Sequence, residues 1–408
     1  VFDRAADSVC RKCKRTAECW QHDYQTTLDV MNNISPAMLE RGRVETDDFP
    51  DWFADGCVNL GGFTNAVNLE LRELLYRRQL RSRLSRNLGA VCSQYSDIST
   101  ILKGISAELG GSIGFEPELE SRLKKYLQSL GYQADVAVFR DKGGRLHAEI
   151  AGAGMSVLRR EESYLEKLSA ALGVRLCTPG NAVAYDKMTL LEAEPLAATV
   201  GISCMKRRGC PVSGDRGAYF KTDDGTLYVM LSDGMGAGED AARCSAASTK
   251  ILERLLHSGV APATAMHMLS DVMLIKNEDD TNCAAVDLIC LNLFSGEMNM
   301  YKYGAAPSYL KRGGVVKRVT GTSLAAGLGD PNEMPDCVKA DVSAGCLAVI
   351  VSDGVLAGED DKWLTEKIAA YEGEYPKELA KEIVESASKN EPSEDDMTAI
   401  AIKVAFRK

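Results

Sequence analysis

The longest helical pattern in the chain covers residues 63–110. Within it Leu84, Leu88, Val91, Tyr95, Ile98, Leu102, Ile105 and Leu109 alternate spacings of four and three, the heptad seam of a coiled coil. Two readings of that seam stay open. It packs on a neighbour within the chain, or it pairs two copies. Upstream, Arg77, Arg78, Arg81 and Arg83 interrupt it with charge, the usual mark of a solvated face. Leu88 and Val91, inside the seam, are the candidate regulatory positions. Residues 1–61 read as short helices punctuated by Pro36, Pro50 and Gly56.

Beyond Gly110, Gly111 and Gly114 the period changes. A helix over 116–130 leads to strands 134–139 and 146–151 around the turn Lys142-Gly143-Gly144. A helix over 161–172 and strands 182–185 and 188–191 follow. From about residue 196 the pattern turns β-rich. Strands are expected near 198–205, 218–222, 227–232, 284–293, 297–303, 315–319, 346–352 and 397–405, with helices at 239–257, 262–276, 362–371 and 376–388. Asp224-Gly225, Ser295-Gly296 and Gly313-Gly314 give hairpin signals. The strands mostly follow one another, which favours antiparallel sheets with flanking helices over a doubly wound parallel sheet. The expected organisation is a helical regulatory region over 1–115, a small α/β unit over 116–195 and a catalytic-type domain over 196–408.

Composition narrows the class. The 408 residues are 45% apolar and 26% charged, ordinary for a globular protein, and the net charge of −10 argues against nucleic acid as the main partner. No apolar run approaches the length of a bilayer span, and the N-terminus is not signal-like. The first residue is Val, consistent with a piece of a longer chain. Thirteen scattered cysteines fit reduced thiols in a cytoplasm better than a disulfide framework. Cys10, Cys13, Cys19 and Cys57 admit two readings, a Cys₄ zinc site or a group of reduced thiols, and the isolation of Cys19 and Cys57 favours the second. The four histidines, His22, His147, His257 and His267, show no metal-ligand spacing.

Two stretches carry the chemistry. Residues 227–240 read LYVMLSDGMGAGED and residues 347–360 read LAVIVSDGVLAGED. A buried strand that delivers an aspartate at its tip, with glycine next, sets a carboxylate beside exposed backbone. Asp233 and Asp353 are therefore expected to converge on a positive charge, and hard divalent cations suit carboxylate and carbonyl oxygens. Ser213-Gly214-Asp215 and Glu394-Asp395-Asp396-Met397-Thr398 add further acids at strand ends. Gly234-Met235-Gly236-Ala237-Gly238 mimics a dinucleotide loop, but no βαβ unit follows it.

V-S-G-D at 212–215, S-D-G-M-G at 232–236, S-D-G at 352–354 and D-D-M-T at 395–398 together resemble the metal-dependent serine/threonine phosphatases of the PPM (PP2C) class. S-D-G-M-G, G-A-A-P-S-Y-L-K-R-G-G at 304–314 and Cys10-x-x-Cys13…Cys19-Trp20 narrow the resemblance to the stage II sporulation protein E family. It implies an α+β fold: a PP2C-like antiparallel β-sandwich flanked by helices, behind a helical and small α/β regulatory region. It implies two Mn²⁺ or Mg²⁺ ions. Asp233 would bridge them, with the Gly234 carbonyl on one, Asp353 and Asp395 completing the second, and Asp215 holding the shell. Asp233 and Asp353 would be the catalytic pair. Asp396 ranks below Asp395, because many relatives have asparagine there. Met235 stands where eukaryotic relatives have a histidine general acid. Lys206, Arg207 and Arg208 lie near the site in sequence as basic residues of unfixed direction. The implied substrate is a phosphorylated anti-anti-sigma factor, whose dephosphorylation frees a forespore sigma factor. A division-septum partner, a homodimer and a septal membrane anchor in a segment absent from this sequence are also implied. The alternative is a catalytically silent septum-docking protein, with this cytoplasmic fragment serving only interactions.

Overall fold

The computed structural model describes residues 1–109, 114–141, 143–179, 186–236, 238–276, 283–356, 361–390 and 395–407. Gly110, Gly111, Lys142, the expected strand 182–185, the second Ala-Gly-Glu-Asp phrase (357–360) and Glu394 lie outside the described residues. The chain forms two compact units, Val1–Leu88 and Gly89–Lys408.

The first unit is helical: α1 (Phe2–Val9), α2 (Tyr24–Arg41), α3 (Asp51–Gly56) and the start of α4 (Leu60–Leu109). Its core is small, with Ala5, Val30, Met31, Ile34, Val44, Phe49, Phe63 and Val67 buried together. The break expected at Pro36 does not occur. The 18-residue α2 continues through it, losing one backbone donor, and stops at Gly42, where φ of +67° suits glycine.

The second unit opens with the rest of α4. The apolar seam of this helix is not its buried face. Leu84 and Leu88 in the first unit and Tyr95 and Leu102 in the second are all more than half exposed, whereas Ala90, Ser93 and Asp97 are buried. A small α/β layer follows: β1 (Gly114–Phe115), α5 (Pro117–Ser129), β2 (Asp135–Arg140), β3 (Leu146–Ala151), α6 (Met155–Leu158), α7 (Tyr164–Leu172), β4 (Leu176–Cys177) and β5 (Lys187–Glu192). Its sheet order is β1-β2-β3-β5-β4. Leu123 and Leu127 of α5 and Leu168 and Leu172 of α7 pack over Val138, Ala148, Ile150 and Leu190.

The remainder is a four-layer sandwich. Its elements are β6 (Leu196–Met205), β7 (Asp215–Lys221), β8 (Thr226–Gly234), α8 (Glu239–His257), α9 (Pro262–Lys276), β9 (Ala284–Asn292), β10 (Glu297–Tyr303), β11 (Ser308–Arg312), β12 (Val315–Val319), β13 (Asp336–Asp341), β14 (Leu347–Val351), α10 (Lys362–Ala370), α11 (Pro376–Asn390) and β15 (Met397–Phe406). One sheet runs β13-β10-β9-β8-β7 and the other β12-β11-β14-β15-β6, with every pairing antiparallel. Strand side chains alternate between layers. Leu227, Val229 and Leu231 of β8 meet Ile350 of β14 and Ile400 and Ile402 of β15 in the central core. Tyr228 and Met230 point the other way, onto Leu252 and Leu256 of α8 and Met266 and Leu269 of α9. Val349 and Ala401 lie under α10 and α11.

One network binds the α/β layer to the sandwich. Glu194, 3% exposed, accepts from Arg145 on the β3 approach (3.1 Å), from Lys221 at the end of β7 (2.7 Å) and from Arg407. Three cations satisfy this buried carboxylate; burial pushes it up, but Lys221 and Arg145 prevail and hold it below the usual glutamate range.

Candidate functional site

β7 was expected to begin at residue 218. It begins at Asp215, because the antiparallel ladder with β8 continues past the apolar residues and sets Asp215 opposite Asp233. The two carboxylates thus share one end of the first sheet. In the second sheet β14 and β15 are antiparallel neighbours, so the exit of one and the entry of the other coincide. Ser352 N–H donates to the Thr398 carbonyl (3.0 Å) and Thr398 N–H to Ser352 Oγ (2.8 Å). That places Asp353, on a short helical turn after β14, beside Asp395.

Two glycines make the edge compact. A Cβ on Gly234 would collide with the Ala241 carbonyl at the start of α8, and one on Gly354 with the Asp396 carbonyl. This is the physical content of the paired Ser-Asp-Gly phrases. Each glycine lets a second segment press on the turn that carries the aspartate.

The four acids lie within one another's fields. Burial pushes Asp233 up to about 9, with further upward pressure from Asp215, Asp353 and Asp395. Burial also raises Asp215 to about 6, with Asp396 adding to it. The nearby Ser352 and Thr398 hydroxyls offset part of that rise, though no donor stands in hydrogen-bond geometry to either Asp215 oxygen among the described residues. No ion pair reaches Asp215 or Asp233 among the described residues. Orphaned buried carboxylate oxygens facing other carboxylates fit a cation-binding edge; a structural network would carry donors there.

Asp396 is different. Its two oxygens accept from the backbone N–H groups of Arg207 (2.8 Å) and Gly214 (2.6 Å), so it clamps the 206–214 loop that feeds β7. Sequence reasoning ranked it as a weaker ligand and missed this positioning role. Arg207 is thereby fixed by its backbone at the edge of the site, while Lys206 reaches back to the Pro211 carbonyl (3.4 Å). Met235 follows Gly234 and is 45% exposed, so a thioether occupies the position after the Asp-Gly.

A second polar cluster lies away from this edge. His267 of α9 pairs through Nδ1 with Asp97 Oδ2 of α4 (2.9 Å), and its Nε2 donates to the Pro331 carbonyl (3.0 Å) with Ser93 Oγ at 3.5 Å. Asp271, one turn along α9, is 1% exposed and its Oδ2 has no partner among the described residues. One ligand-type atom from each of Asp97, His267 and Asp271 falls within 4.8 Å of the others. Both imidazole nitrogens are already engaged, which makes the group a latch between α4 and α9. The i, i+4 spacing of His267 and Asp271 was visible in sequence, but Asp97, 170 residues away, was not.

Among the described residues no helix is long and apolar enough to cross a membrane. The family model for the regulatory domain of stage II sporulation protein E matches residues 1–156, and the model for stage II sporulation protein E matches residues 223–405. The stage II sporulation protein E of Priestia megaterium is 22% identical over 98% of this chain and 70% of its own length. That of Bacillus subtilis is 22% identical over 99% of this chain, which spans half of the relative. A solved structure of the PP2C phosphatase domain and a fragment of the regulatory domain of SpoIIE from Bacillus subtilis superposes with a TM-score of 0.59 at 21% identity, over 83% of this chain and 99% of that one. The chain belongs to the stage II sporulation protein E family of PP2C-type serine/threonine phosphatases.

Proposed function

We propose that the Asp215–Asp233–Asp353–Asp395 edge is a two-cation phosphatase centre and that its substrate is the phosphoserine of an anti-anti-sigma factor. The convergence of four carboxylates from two sheets, with both Asp215 oxygens buried and unpaired, carries this reading. Asp215, Asp353 and Asp395 all act on Asp233, which supports reading it as the carboxylate the two cations would share. Gly234 would offer its carbonyl with no side chain in the way, Asp353 and Asp395 would hold the second cation, and Asp215 would hold the shell. When bound, Mn²⁺ or Mg²⁺ neutralises phosphoryl charge and acidifies a water for in-line attack on phosphorus. Asp396 keeps the β7 entry in register while this occurs. Met235 cannot donate a proton, so the departing serine takes its proton from another group or from solvent.

We further propose that α8 and α9 form the movable element. Ala241 presses on Gly234, and the Asp97–His267 latch joins α9 to α4, so the α4 seam at Leu88 and Val91 can bias the Gly234 carbonyl. Pairing of two copies along the exposed seam would act through the same route, and a septal partner would engage the regulatory region.

The test is release of phosphate from a phosphoserine anti-anti-sigma protein by the full chain, with Mn²⁺ and with chelator. Release only with Mn²⁺ is expected. Failure to release phosphate from it and from p-nitrophenyl phosphate at any Mn²⁺ concentration would make the chain a silent docking protein.

A further inference from the structure

Four of the thirteen cysteines, Cys10, Cys13, Cys19 and Cys57, line one cavity of about 360 Å³ in the first unit. They arrive from three separate segments. Cys10 opens a single 3₁₀ turn, Cys10–Lys12, and Cys13 closes it through its N–H to the Cys10 carbonyl (2.9 Å). Cys19 lies in the helical turn Glu18–His22, and Cys57 is the residue after α3. None is in a disulfide.

Each segment is held to the cavity by its backbone. Thr16 Oγ1 donates to the Cys10 and Cys13 carbonyls, and Thr27 Oγ1 donates to the Cys19 carbonyl (2.8 Å). The Arg15 guanidinium donates to the Gly56 carbonyl, next to Cys57. Trp20, Trp52, Phe53 and Phe63 form apolar wall. Reduced cysteines used only as small hydrophobes have no reason to be gathered from three segments around a shared space.

We propose that these four cysteines bind one structural Zn²⁺. Tetrathiolate coordination is the commonest closed zinc site, and a C-x₂-C pair on a tight turn is its usual half. No three of the four sulfurs lie within 4.8 Å of one another, so coordination at about 2.3 Å would draw them together across the cavity. The charge balance fits. Four thiolates with Zn²⁺ carry two negative charges, and Arg11, Lys12, Lys14 and Arg15 surround the C-x₂-C turn in sequence. The energetic need is also plain. Nine buried apolar residues among the described ones are a small core for a unit of this length, and a metal staple is a common supplement. This site shares no residue with the carboxylate edge and stands whether or not that edge is catalytic.

The experiment uses the full chain, purified without chelator and assayed for zinc and iron by elemental analysis. One zinc per chain is expected, released by a thiol-specific mercurial. Replacement by Co²⁺ should give a thiolate-to-cobalt charge-transfer band, which carboxylate ligands cannot produce. Cys13→Ser should abolish that band, whereas Cys204→Ser, at an exposed position on β6, should leave it. Should Cys13→Ser fail to fold, the wild-type cobalt band and mercurial release still decide the matter. Absence of thiolate-bound metal in the wild-type chain, iron in place of zinc, or an unaltered band in Cys13→Ser would overturn the proposal.

Discussion

Asp271→Asn should stabilise the protein at neutral pH. Asp271 is 1% exposed on α9, one Oδ is without a partner, and burial pushes its carboxyl up to about 6, with Asp97 adding to the rise and His267 and Ser93 opposing it. The sign follows from linkage. The folded value lies above the unfolded one of 3.8, so the folded state holds the proton more tightly. Stability from this group is complete below the unfolded value and is lost as pH rises toward the folded one. Ionisation at a site shifted this far, with the opposing effects of His267 and Ser93 already included, costs about 3 kcal/mol. Asparagine is nearly isosteric and neutral at every pH. The variant should therefore gain nothing near pH 4, gain progressively to about pH 6, and hold a constant advantage above. Urea unfolding of both proteins across this range measures it. An advantage independent of pH, or a loss of more than about 1 kcal/mol at pH 7.5, would show that the carboxylate is satisfied in the fold and that the latch has been misread.

Three further outcomes test the remaining elements. Asp233→Ala should lower kcat on the phosphoserine substrate by at least about a thousandfold while leaving thermal unfolding of the metal-free chain undiminished, because it removes the carboxylate under most repulsion; near-wild-type Mn²⁺-dependent turnover would refute its assignment. Asp396→Ala leaves the Arg207 and Gly214 amides without their acceptor, so it should cost about 2–4 kcal/mol of stability and raise the Mn²⁺ concentration needed for activity; hydrogen exchange confined to the 206–214 loop would report the lost clamp. Polar substitutions at Leu88 and Val91, 60% and 40% exposed, should change basal kcat or Mn²⁺ requirement by several-fold with little loss of stability; unchanged values would make the seam a spacer or docking platform.

Legibility in sequence followed the local strength of the signal. β8 and β14 were evident because each is an apolar run buried on both faces and closed by Ser-Asp-Gly. β13 was missed because Asp-Cys-Val-Lys-Ala-Asp belongs to an edge strand, half exposed at alternate positions, with no apolar run to announce it. β11 was missed because Lys311 interrupts it. That lysine is nonetheless 7% exposed, its ammonium held by the Tyr371 carbonyl (2.7 Å) and Glu372 (2.9 Å), partners about 60 residues away. The aspartates of the candidate site were legible as motifs, but their register was not: only the β7–β8 ladder places Asp215 opposite Asp233. The α4 helix was legible in extent. Its buried face was not, since Ala90, Ser93 and Asp97 are small or polar and the more conspicuous leucines face outward.

That inversion bears on control. A helix that docked through its leucine seam would be held by a large apolar surface and released only at high cost. Residues 89–109 instead engage α9 through Ser93, Asp97 and His267, a contact made of a few polar atoms around one imidazole. Polar latches of this kind are geometrically specific but contribute modest net stability, because water satisfies the same atoms when the contact opens. The leucine seam remains available to a second copy while the latch sets where α9 sits. From α9 the coupling passes through packing. Met266 and Leu269 share one apolar cluster with Leu252 and Leu256 of α8, and α8 begins where Ala241 touches Gly234. At the end of that path Asp233, buried and pressed by Asp215, Asp353 and Asp395, disfavours a charged edge without a cation. A weak latch suffices to bias such a centre, since the edge supplies its own opposition and the helix need shift the balance by only a few kcal/mol. Strengthening the latch with an apolar contact would lock one state, and so would neutralising the acids. On the proposed reading, a small polar contact set against the carboxylate edge is what would leave both states within reach.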